Sequence, residues 1–376
     1  MTQKIMIIAG EASGDHHAAD LIKALKAKNP DYQFSGIGGN EMKAAGVELL
    51  YHISQLAILG ITEVIKHLPF IRKVLAAVKK ELQKDTAAII LVDYPGFNMR
   101  VARIAKKMGI PVIYYISPQL WAWGEKRVEK MRRFVDLLLV IFRFEEDFYK
   151  KHDITAHFVG HPMVDQIDIT QSESDFRKEN RIPETPPILG LFPGSREMEV
   201  RNLLPTMLAA AEKARKEFGC IPAIGCASHL PEELYGEICE PYPDIMLLKS
   251  QSHLLMQYSF AAMVASGTAT LELGYQQTPM VVLYAVSPIT YWLGRMLIKI
   301  DNIAMANIVA GKNVVPEIIQ KEITVENVNR AVNRYFTDAD YYKTVKKDLG
   351  RIKEVLGDGG ASQRTAEKIH SFLSDL

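Results

Sequence analysis

The reading of the fold starts at Lys4–Asp15, KIMIIAGEASGD. Ile5–Ala9 is an unbroken apolar run, short enough for one strand and too continuous for a strand with a solvated face. Gly10 and Gly14 bracket a sharp turn, and apolar residues at helical spacing then run over Ala18–Lys28. The same strand–turn–helix alternation recurs along the chain. Further strand candidates are Ala87–Val92, Pro111–Ile116, Val135–Ile141, His157–Val159, Pro187–Phe192, Pro222–Cys226, Ile245–Leu248, Phe260–Ala265 and Met280–Tyr284. Helical patterns over Val101–Met108 and Val200–Phe218 lie between them. The alternation predicts an α/β fold with parallel sheets.

The chain has 376 residues, enough for two or three domains. Pro162–Pro187 is polar and ends in Pro183-Glu184-Thr185-Pro186-Pro187, so a domain boundary is expected there. Two α/β domains joined at that point would leave a cleft, with ligand sites at the carboxyl ends of strands. Lys+Arg 45 against Asp+Glu 44 gives a net charge of +1, which argues against a nucleic-acid binder. The hydrophobic fraction of 48% with 24% charged residues is that of a globular protein. Cys220, Cys226 and Cys239 are too few and too clustered for a disulfide framework and fit a cytosolic setting. No leader-like segment opens the chain, and Leu273–Gly294 is interrupted by glutamines and prolines, so no spanning helix is expected.

Three turns follow strands. In Ile8–Asp15 the glycine spacing fits neither a dinucleotide fingerprint nor a P-loop, so neither a nicotinamide cofactor nor ATP is supported; Ser13 or Asp15 would cap the helix. In LFPGSREMEV (Leu191–Val200), Gly194 turns the chain, Ser195 would cap the helix, and Arg196 offers a forked cation beside free amides, a set suited to a diphosphate. In ASGTATLELG (Ala265–Gly274), the amides of Gly267, Thr268 and Ala269 would cradle phosphate oxygens. Glu272, one turn on, would accept ribose hydroxyls or simply face the helix start. Two such turns in one domain point to a nucleoside diphosphate.

VDYPGFN (Val92–Asn98) puts Asp93 at the end of a buried strand, where desolvation would raise its pKa toward that of a general base; receiving amide hydrogen bonds is the equal alternative. His16 and His17 read as structural, and Gly160 and Pro162 keep His157 and His161 from forming a helical metal pair, so no metal site is expected. Leu56–Lys80 is unusually apolar and carries Lys66, Arg72, Lys73, Lys79 and Lys80, which suits either an acyl-chain surface or ordinary core. A second basic stretch, Lys126–Arg133, follows SPQLWAWGE (Ser117–Glu125), where Trp121 and Trp123 would meet lipid headgroups or fill an internal wall.

Together, GEASGD, GIGG (Gly36–Gly39), DYPGFN, SPQLWAW, GHPMVD (Gly160–Asp165), LFPGSR, SGTATLE, ANIVAGKNVVPEIIQ (Ala306–Gln320) and GASQR (Gly360–Arg364) resemble, in order and over nearly the whole chain, the lipid-A-disaccharide synthases. The resemblance implies the GT-B architecture, two Rossmann-like domains facing across a cleft. Residues 1–165 would bind the acceptor lipid and 166–349 the UDP-sugar donor, with a helix in 350–376 packing back on the first domain. It implies a metal-independent inverting glycosyltransferase, without cofactor, joining UDP-2,3-diacylglucosamine to 2,3-diacylglucosamine 1-phosphate (lipid X). It places the enzyme in the cytoplasm, peripheral to the inner membrane of Gram-negative bacteria, and leaves a homodimer open. It assigns Asp93 as base and Ser13, Gly14 and Asp15 to the acceptor loop. It assigns Arg196, Ser266, Gly267, Thr268, Ala269, Glu272, Asn307, Glu317 and Gln320 to the UDP-sugar. Relatives often read Asp-Ala-Pro-Asp-Phe-Asn where this chain has Asp93-Tyr94-Pro95-Gly96-Phe97-Asn98, so the second acid is absent here.

Three other readings compete. A UDP-N-acetylglucosamine 2-epimerase would share the architecture, but the first loop lacks the Gly-Thr-Arg-Pro-Glu pattern. A transferase acting on a polyprenyl-linked precursor would share the greasy surface, but SPQLWAW and DYPGFN speak against it. A binding module that has lost its chemistry is unsupported while Arg196, Glu272 and Asp93 remain.

Overall fold

A computed structural model describes residues 3–56, 68–121, 127–167, 169–285 and 302–376. The chain divides into two units, Met1–Asp165 with Gly357–Leu376, and Gln166–Leu356.

The first unit runs β1 (Gln3–Ala9), α1 (Ala12–Lys28), β2 (Tyr32–Gly38), α2 (Asn40–Ala44), β3 (Val47–His52), α3 (Ile53–Leu56), α4 (Leu68–Leu82), β4 (Thr86–Val92) and α5 (Pro95–Lys107). It continues through β5 (Val112–Tyr115), α6 (Val128–Phe134), β6 (Leu137–Val140), α7 (Phe144–Lys150), β7 (Ala156–Phe158) and α8 (Pro162–Gln166), whose last residue belongs to the second unit. Its strands form one parallel sheet in the order β3-β2-β1-β4-β5-β6-β7. The order reverses between β1 and β4. Ile5–Ala9 is fully buried, as a strand covered on both faces must be, and each large aliphatic side chain so placed contributes about 1.5–3 kcal/mol.

The second unit runs α9 (Glu173–Glu179), β8 (Ile188–Phe192), α10 (Glu197–Phe218), β9 (Ile221–Cys226), α11 (Glu232–Cys239), β10 (Met246–Lys249), α12 (Ser252–Tyr258), β11 (Ser259–Ala265) and α13 (Ala269–Tyr275). β12 (Met280–Tyr284), α14 (Met305–Ala310), β13 (Glu317–Ile319), α15 (Val325–Thr337) and α16 (Ala339–Leu356) complete it. Its parallel sheet has the order β10-β9-β8-β11-β12-β13, so here the reversal lies between β8 and β11. The last helix, α17 (Ala361–Ser374), belongs to the first unit and packs along α1. Lys28 pairs with Glu367 at 2.9 Å, and the Tyr32 hydroxyl meets His370 at 2.7 Å.

All ten expected strands form, and three others join them. β2 is a glycine-bearing stretch, and β3 carries a polar residue in an edge position. β13 is three residues long, so none of these offers the continuous apolar run that marks a strand. The polar stretch after Pro162 is not a bare linker. Arg177 is buried, pairs with Glu173 at 2.8 Å, and donates to the carbonyls of Pro183 (2.7 Å) and Pro186 (3.1 Å), tying the proline run to α9. Of the greasy Leu56–Lys80 segment, residues 57–67 lie outside the described residues. Leu56, Val74 and Val78 are core, and only Lys79, Lys80, Arg72 and Lys73 are exposed among the charges described there. Trp123 also lies outside the described residues; Trp121 packs edge-on against Phe144 at 5.0 Å. Among the described residues, no helix is long and apolar enough to cross a membrane.

Candidate functional site

In open parallel sheets, ligands bind beyond the carboxyl ends of the strands where the order reverses. Both units place sequence-expected motifs there.

In the first unit β1 runs into GEASGD and its neighbour β4 runs into DYPGFN. The chain leaves β4 through two consecutive left-handed residues, Asp93 (φ 46°) and Tyr94 (φ 47°), a conformation that costs free energy for non-glycine residues. Four hydrogen bonds hold it. The Asp93 amide donates to the Tyr115 carbonyl at 3.0 Å. The Asp93 carbonyl accepts from the Tyr114 hydroxyl (2.7 Å) and from the Asn98 side-chain amide (2.7 Å), which also reaches the Val92 carbonyl at 3.1 Å. Gly10 is required across the turn, because a Cβ there would stand 2.2 Å from the Tyr94 ring. Burial pushes the Asp93 carboxyl up to about 6, and the Glu11 carboxylate adds to the rise. Desolvation is present, and so is the alternative expected of this turn: the Tyr94 backbone amide hydrogen-bonds the carboxyl and opposes the rise. Glu11, Tyr114 and Asn98 were not picked out as its supports, although Glu11 and Asn98 stand inside the two motifs.

GEASGD itself differs from expectation. Helix α1 starts at Ala12 with Glu11 in the capping position and no side-chain cap, so neither Ser13 nor Asp15 caps it. Asp15 is buried and caps another segment. Its Oδ1 accepts from the amides of Gly39 (2.6 Å) and Met42 (3.1 Å), and its Oδ2 from Glu41 (3.1 Å). The carboxylate thus welds GIGG to α1 and has little left to offer a ligand. Gly14 lies in the first turn of α1 and is buried against the sheet, with Ala9 Cβ 3.5 Å from where its own Cβ would be, and Ser13 stands exposed.

In the second unit the carboxyl ends of β8, β9 and β11 surround a cavity of about 360 Å³. Arg196, Ser266, Gly267, Thr268, Ala269 and Glu272 all line it, so six residues from two distant motifs converge on one space. The details correct two expectations. Helix α10 begins at Glu197 with Arg196, not Ser195, in the capping position. Glu199 reaches back so that its Oε2 accepts from the amides of Ser195 (3.1 Å) and Arg196 (3.3 Å), while its Oε1 pairs with the Arg196 guanidinium at 3.3 Å. A protein carboxylate therefore sits on amides expected to be free. Gly194 sits at φ 115°, where other residues are strained, and a Cβ there would lie 2.8 Å from Glu199 Cβ. Secondly, the Ser266 amide is spent on the Leu283 carbonyl at 2.9 Å; the turn's unspent donors among the described residues are the amides of Gly267, Thr268 and Ala269. Burial raises the Glu272 carboxyl, and His253, 3.5 Å away, opposes the rise. Glu199 stands inside the LFPGSREMEV motif but its hold on the Ser195 and Arg196 amides was not foreseen, and His253 is brought to Glu272 only by the fold.

Asn307, Glu317 and Gln320 are not among the residues that line this cavity. Asn307 is fully buried and all its amide valences are used. Its Nδ2 donates to the Val315 carbonyl (2.9 Å) and to Glu317 Oε1 (2.8 Å), and its Oδ1 accepts from the amides of Val314 (2.8 Å) and Val315 (3.0 Å). Glu317 accepts in addition from the amides of Ile303 (2.8 Å) and Ala304 (3.0 Å). The pair folds the late motif upon itself. Gln320 is half-buried just beyond the edge strand β13.

The two sheets thus present a half-buried acid with a raised pKa and a cavity lined by amides and an arginine. The sequence profile of the lipid-A-disaccharide synthetases matches residues 5–369. The chain belongs to this family. Lipid-A-disaccharide synthases of Geobacter metallireducens and Myxococcus xanthus are each 40% identical to it, covering 99% and 98% of this chain and 97% of theirs. That of Coxiella burnetii is 34% identical over 99% of both chains. Among solved structures, the calicheamicin glycosyltransferase CalG4 is similar with a TM-score of 0.66 at 14% identity, covering 100% of this chain and 99% of the other. UDP-GlcNAc 2-epimerase from Neisseria meningitidis, solved with UDP-GlcNAc, gives 0.64 at 12% identity, covering 98% and 100%. These two likenesses establish the GT-B type of fold alone; full-length identity to the synthases decides between transferase and epimerase. The protein is a glycosyltransferase of lipid A disaccharide synthesis, acting on a nucleotide sugar and a lipid acceptor.

Proposed function

We propose that the donor is UDP-2,3-diacylglucosamine and the acceptor 2,3-diacylglucosamine 1-phosphate (lipid X), joined with inversion to the β(1→6) disaccharide 1-phosphate. The observation that carries the assignment of roles is the Asp93 carboxyl, held on a braced left-handed turn and pushed up to about 6. A base must be ionised at working pH and still basic enough to take a proton, and a pKa just below neutrality meets both needs. Asp93 takes the proton of the acceptor's 6-hydroxyl as that oxygen bonds to the donor's anomeric carbon. The bond from that carbon to the diphosphate oxygen breaks on the opposite face, and its electron pair leaves with UDP. In the second unit Arg196 and the amides of Gly267, Thr268 and Ala269 stabilise the charge growing on the diphosphate, and Glu272 receives ribose hydroxyls. Residues 1–165 serve the acceptor, with Ser13 and Gly14 at the acceptor loop, and the second unit serves the donor. Asn307, Glu317 and Gln320 shape the late motif's contribution to that donor site. The enzyme works in the cytoplasm as a peripheral protein of the inner membrane, where its acylated substrates reside.

The test is UDP release from these two substrates in detergent with EDTA, wild type against Asp93→Ala. Turnover in the wild type that falls at least a hundredfold in the variant, roughly the smallest contribution of a general base, with UDP affinity kept, is expected. Turnover that persists in Asp93→Ala would remove the base assignment and leave the reaction standing. No UDP from folded wild type would overturn the substrate assignment.

A further inference from the structure

Glu272, the carboxylate assigned above to ribose, has a neighbour that the chemistry does not use. His253 stands on α12, and its Nδ1 lies 3.5 Å from Glu272 Oε2, an ion-pair contact longer than a good hydrogen bond. That nitrogen is buried and, among the described residues, has no hydrogen-bond partner. Glu272 and Ser252 line the cavity, and His253 does not. The imidazole therefore meets the carboxylate without entering the space a ligand would fill. The chain around it fixes its place. β10 leads into α12 through Ser250, a left-handed residue at φ 60°. Gln251 then bridges to the end of α9: its Oε1 accepts from Asn180 Nδ2 at 2.7 Å, and its Nε2 donates to Glu179 Oε1 at 2.9 Å. Across from it, Thr270 Oγ1 donates to the Gly267 carbonyl at 2.8 Å and braces the first turn of α13, which carries Glu272. Histidine and carboxylate thus face each other from two separately anchored helices.

The cations nearby are engaged elsewhere. Arg196 pairs with Glu199 at 3.3 Å, and Lys249, at the end of β10, pairs with Glu232 at 2.8 Å. Among the described residues, His253 is the one basic side chain within ion-pair distance of Glu272. A carboxylate out of water is costly to leave unpaired. A histidine N–H on one oxygen offsets that cost, fixes the plane of the carboxylate and leaves lone pairs for the two hydroxyls of a ribose. We infer that His253 is a positioning residue for the donor: its Nδ1–H holds Glu272 Oε2 and so keeps the carboxylate aimed at the ribose of the nucleotide. The inference deepens the assignment of Glu272 to ribose and rests on it. His253 does not touch the ligand; it acts through Glu272, with its proton on Nδ1.

Calorimetric titration of the full-length protein with UDP and with 2′,3′-dideoxyuridine diphosphate tests it. The variants are His253→Ala, His253→Asn and Glu272→Ala, and thermal melting checks each fold. Asparagine can offer an N–H close to where Nδ1 stands, so it is the conservative replacement. Wild type should prefer UDP by about tenfold or more, the worth of hydrogen bonds to a charged acceptor. Glu272→Ala should abolish that preference. His253→Ala should lose about tenfold in UDP affinity and bind the dideoxy analogue within about twofold of wild type. His253→Asn should restore most of the preference. In turnover, the His253→Ala loss should appear in the donor KM, with kcat at saturating donor within about twofold of wild type. Should His253→Ala fail to fold, His253→Leu, which fills the same space without a donor, takes its place. Equal weakening of both ligands would make His253 a packing residue and overturn the inference. A preference lost in Glu272→Ala but intact in His253→Ala overturns the inference alone and leaves Glu272 on ribose. Wild type that binds both ligands equally overturns the ribose assignment, and the inference falls with it.

Discussion

Two carboxylates in the two sheets do nearly the same geometric job under different conditions. In the first unit Asp15 accepts from three backbone amides of the loop after β2 and is 4% exposed. In the second, Glu199 accepts from two amides after β8 at 3.1 and 3.3 Å, and its side chain is 27% exposed. A buried carboxylate with three donors is part of the architecture: water cannot replace it, and removing it strands three amides. A solvated one on longer bonds, at the mouth of a cavity that also holds Arg196, occupies its amides without being needed there. The difference separates the two loops by how firmly their amides are held. The first unit fills the amides of the loop after β2 with a buried carboxylate; the second leaves cationic and amide groups at the edge of its cavity.

The sharpest way to break this contrast is to delete both carboxylates. Asp15→Ala should destabilise the fold by about 3 kcal/mol, the cost of losing a charged acceptor and leaving its buried donors unpaired. Glu199→Ala should cost under about 1 kcal/mol, in the range of a solvent-exposed cap. Urea unfolding followed by tryptophan fluorescence measures both. Equal losses would show that Glu199 is as structural as Asp15, and the second unit's open turn would have to be abandoned.

The next effect concerns ligand. Arg196→Ala should raise the donor KM by roughly ten- to a hundredfold, the range of a charge-assisted hydrogen bond to phosphate, and should leave the pH dependence of the reaction where it was. Arg196→Lys should recover only part of the loss, because an ammonium lacks the forked geometry. An unchanged KM would remove Arg196 from the donor site.

These contrasts also mark what sequence could and could not reveal. Continuous apolar runs such as Ile5–Ala9 and Met280–Tyr284 announce buried parallel strands, because a strand covered on both faces has no polar alternation to hide. β2 and β13 escaped notice because glycines and shortness erase that signal, and pairing to a neighbouring strand supplies what propensity does not. At the sites, glycine turns follow strands at both reversal points, and Arg196, Ser266, Gly267, Thr268, Ala269 and Glu272 line one cavity while Asn307, Glu317 and Gln320 do not. What could not be read was which polar group consumes which amide. Asp15 belongs to a loop some two dozen residues away, and Asn307 meets Glu317 only once the chain between them has turned. Hydrogen-bond accounting of this kind is a property of the folded backbone, not of residue types at a spacing.

The smallest effect sharpens the assignment of Asp93. Its carboxyl is raised to about 6 chiefly by burial, with the Glu11 carboxylate as a second contributor. As a base it must be ionised, so kcat/KM should climb with pH and level off above an inflexion near 6. Replacing Glu11 by Gln removes a like charge and lowers the pKa of Asp93, so the inflexion should move to lower pH. The movement should be a fraction of a pH unit, since burial remains. Near pH 5, where wild-type Asp93 is mostly protonated, the variant should then retain a larger share of its own plateau rate, by about twofold for a shift of roughly 0.3 unit. Burial acts on both proteins alike, so this experiment isolates the Glu11 charge. If the inflexion stays put while Asp93→Ala is inactive, Asp93 is still the base and its pKa is set by burial and its braced turn alone. If it moves to higher pH, the shift is opposite in sign to the loss of a neighbouring carboxylate, and Asp93 beside Glu11 is not the group that the profile reports.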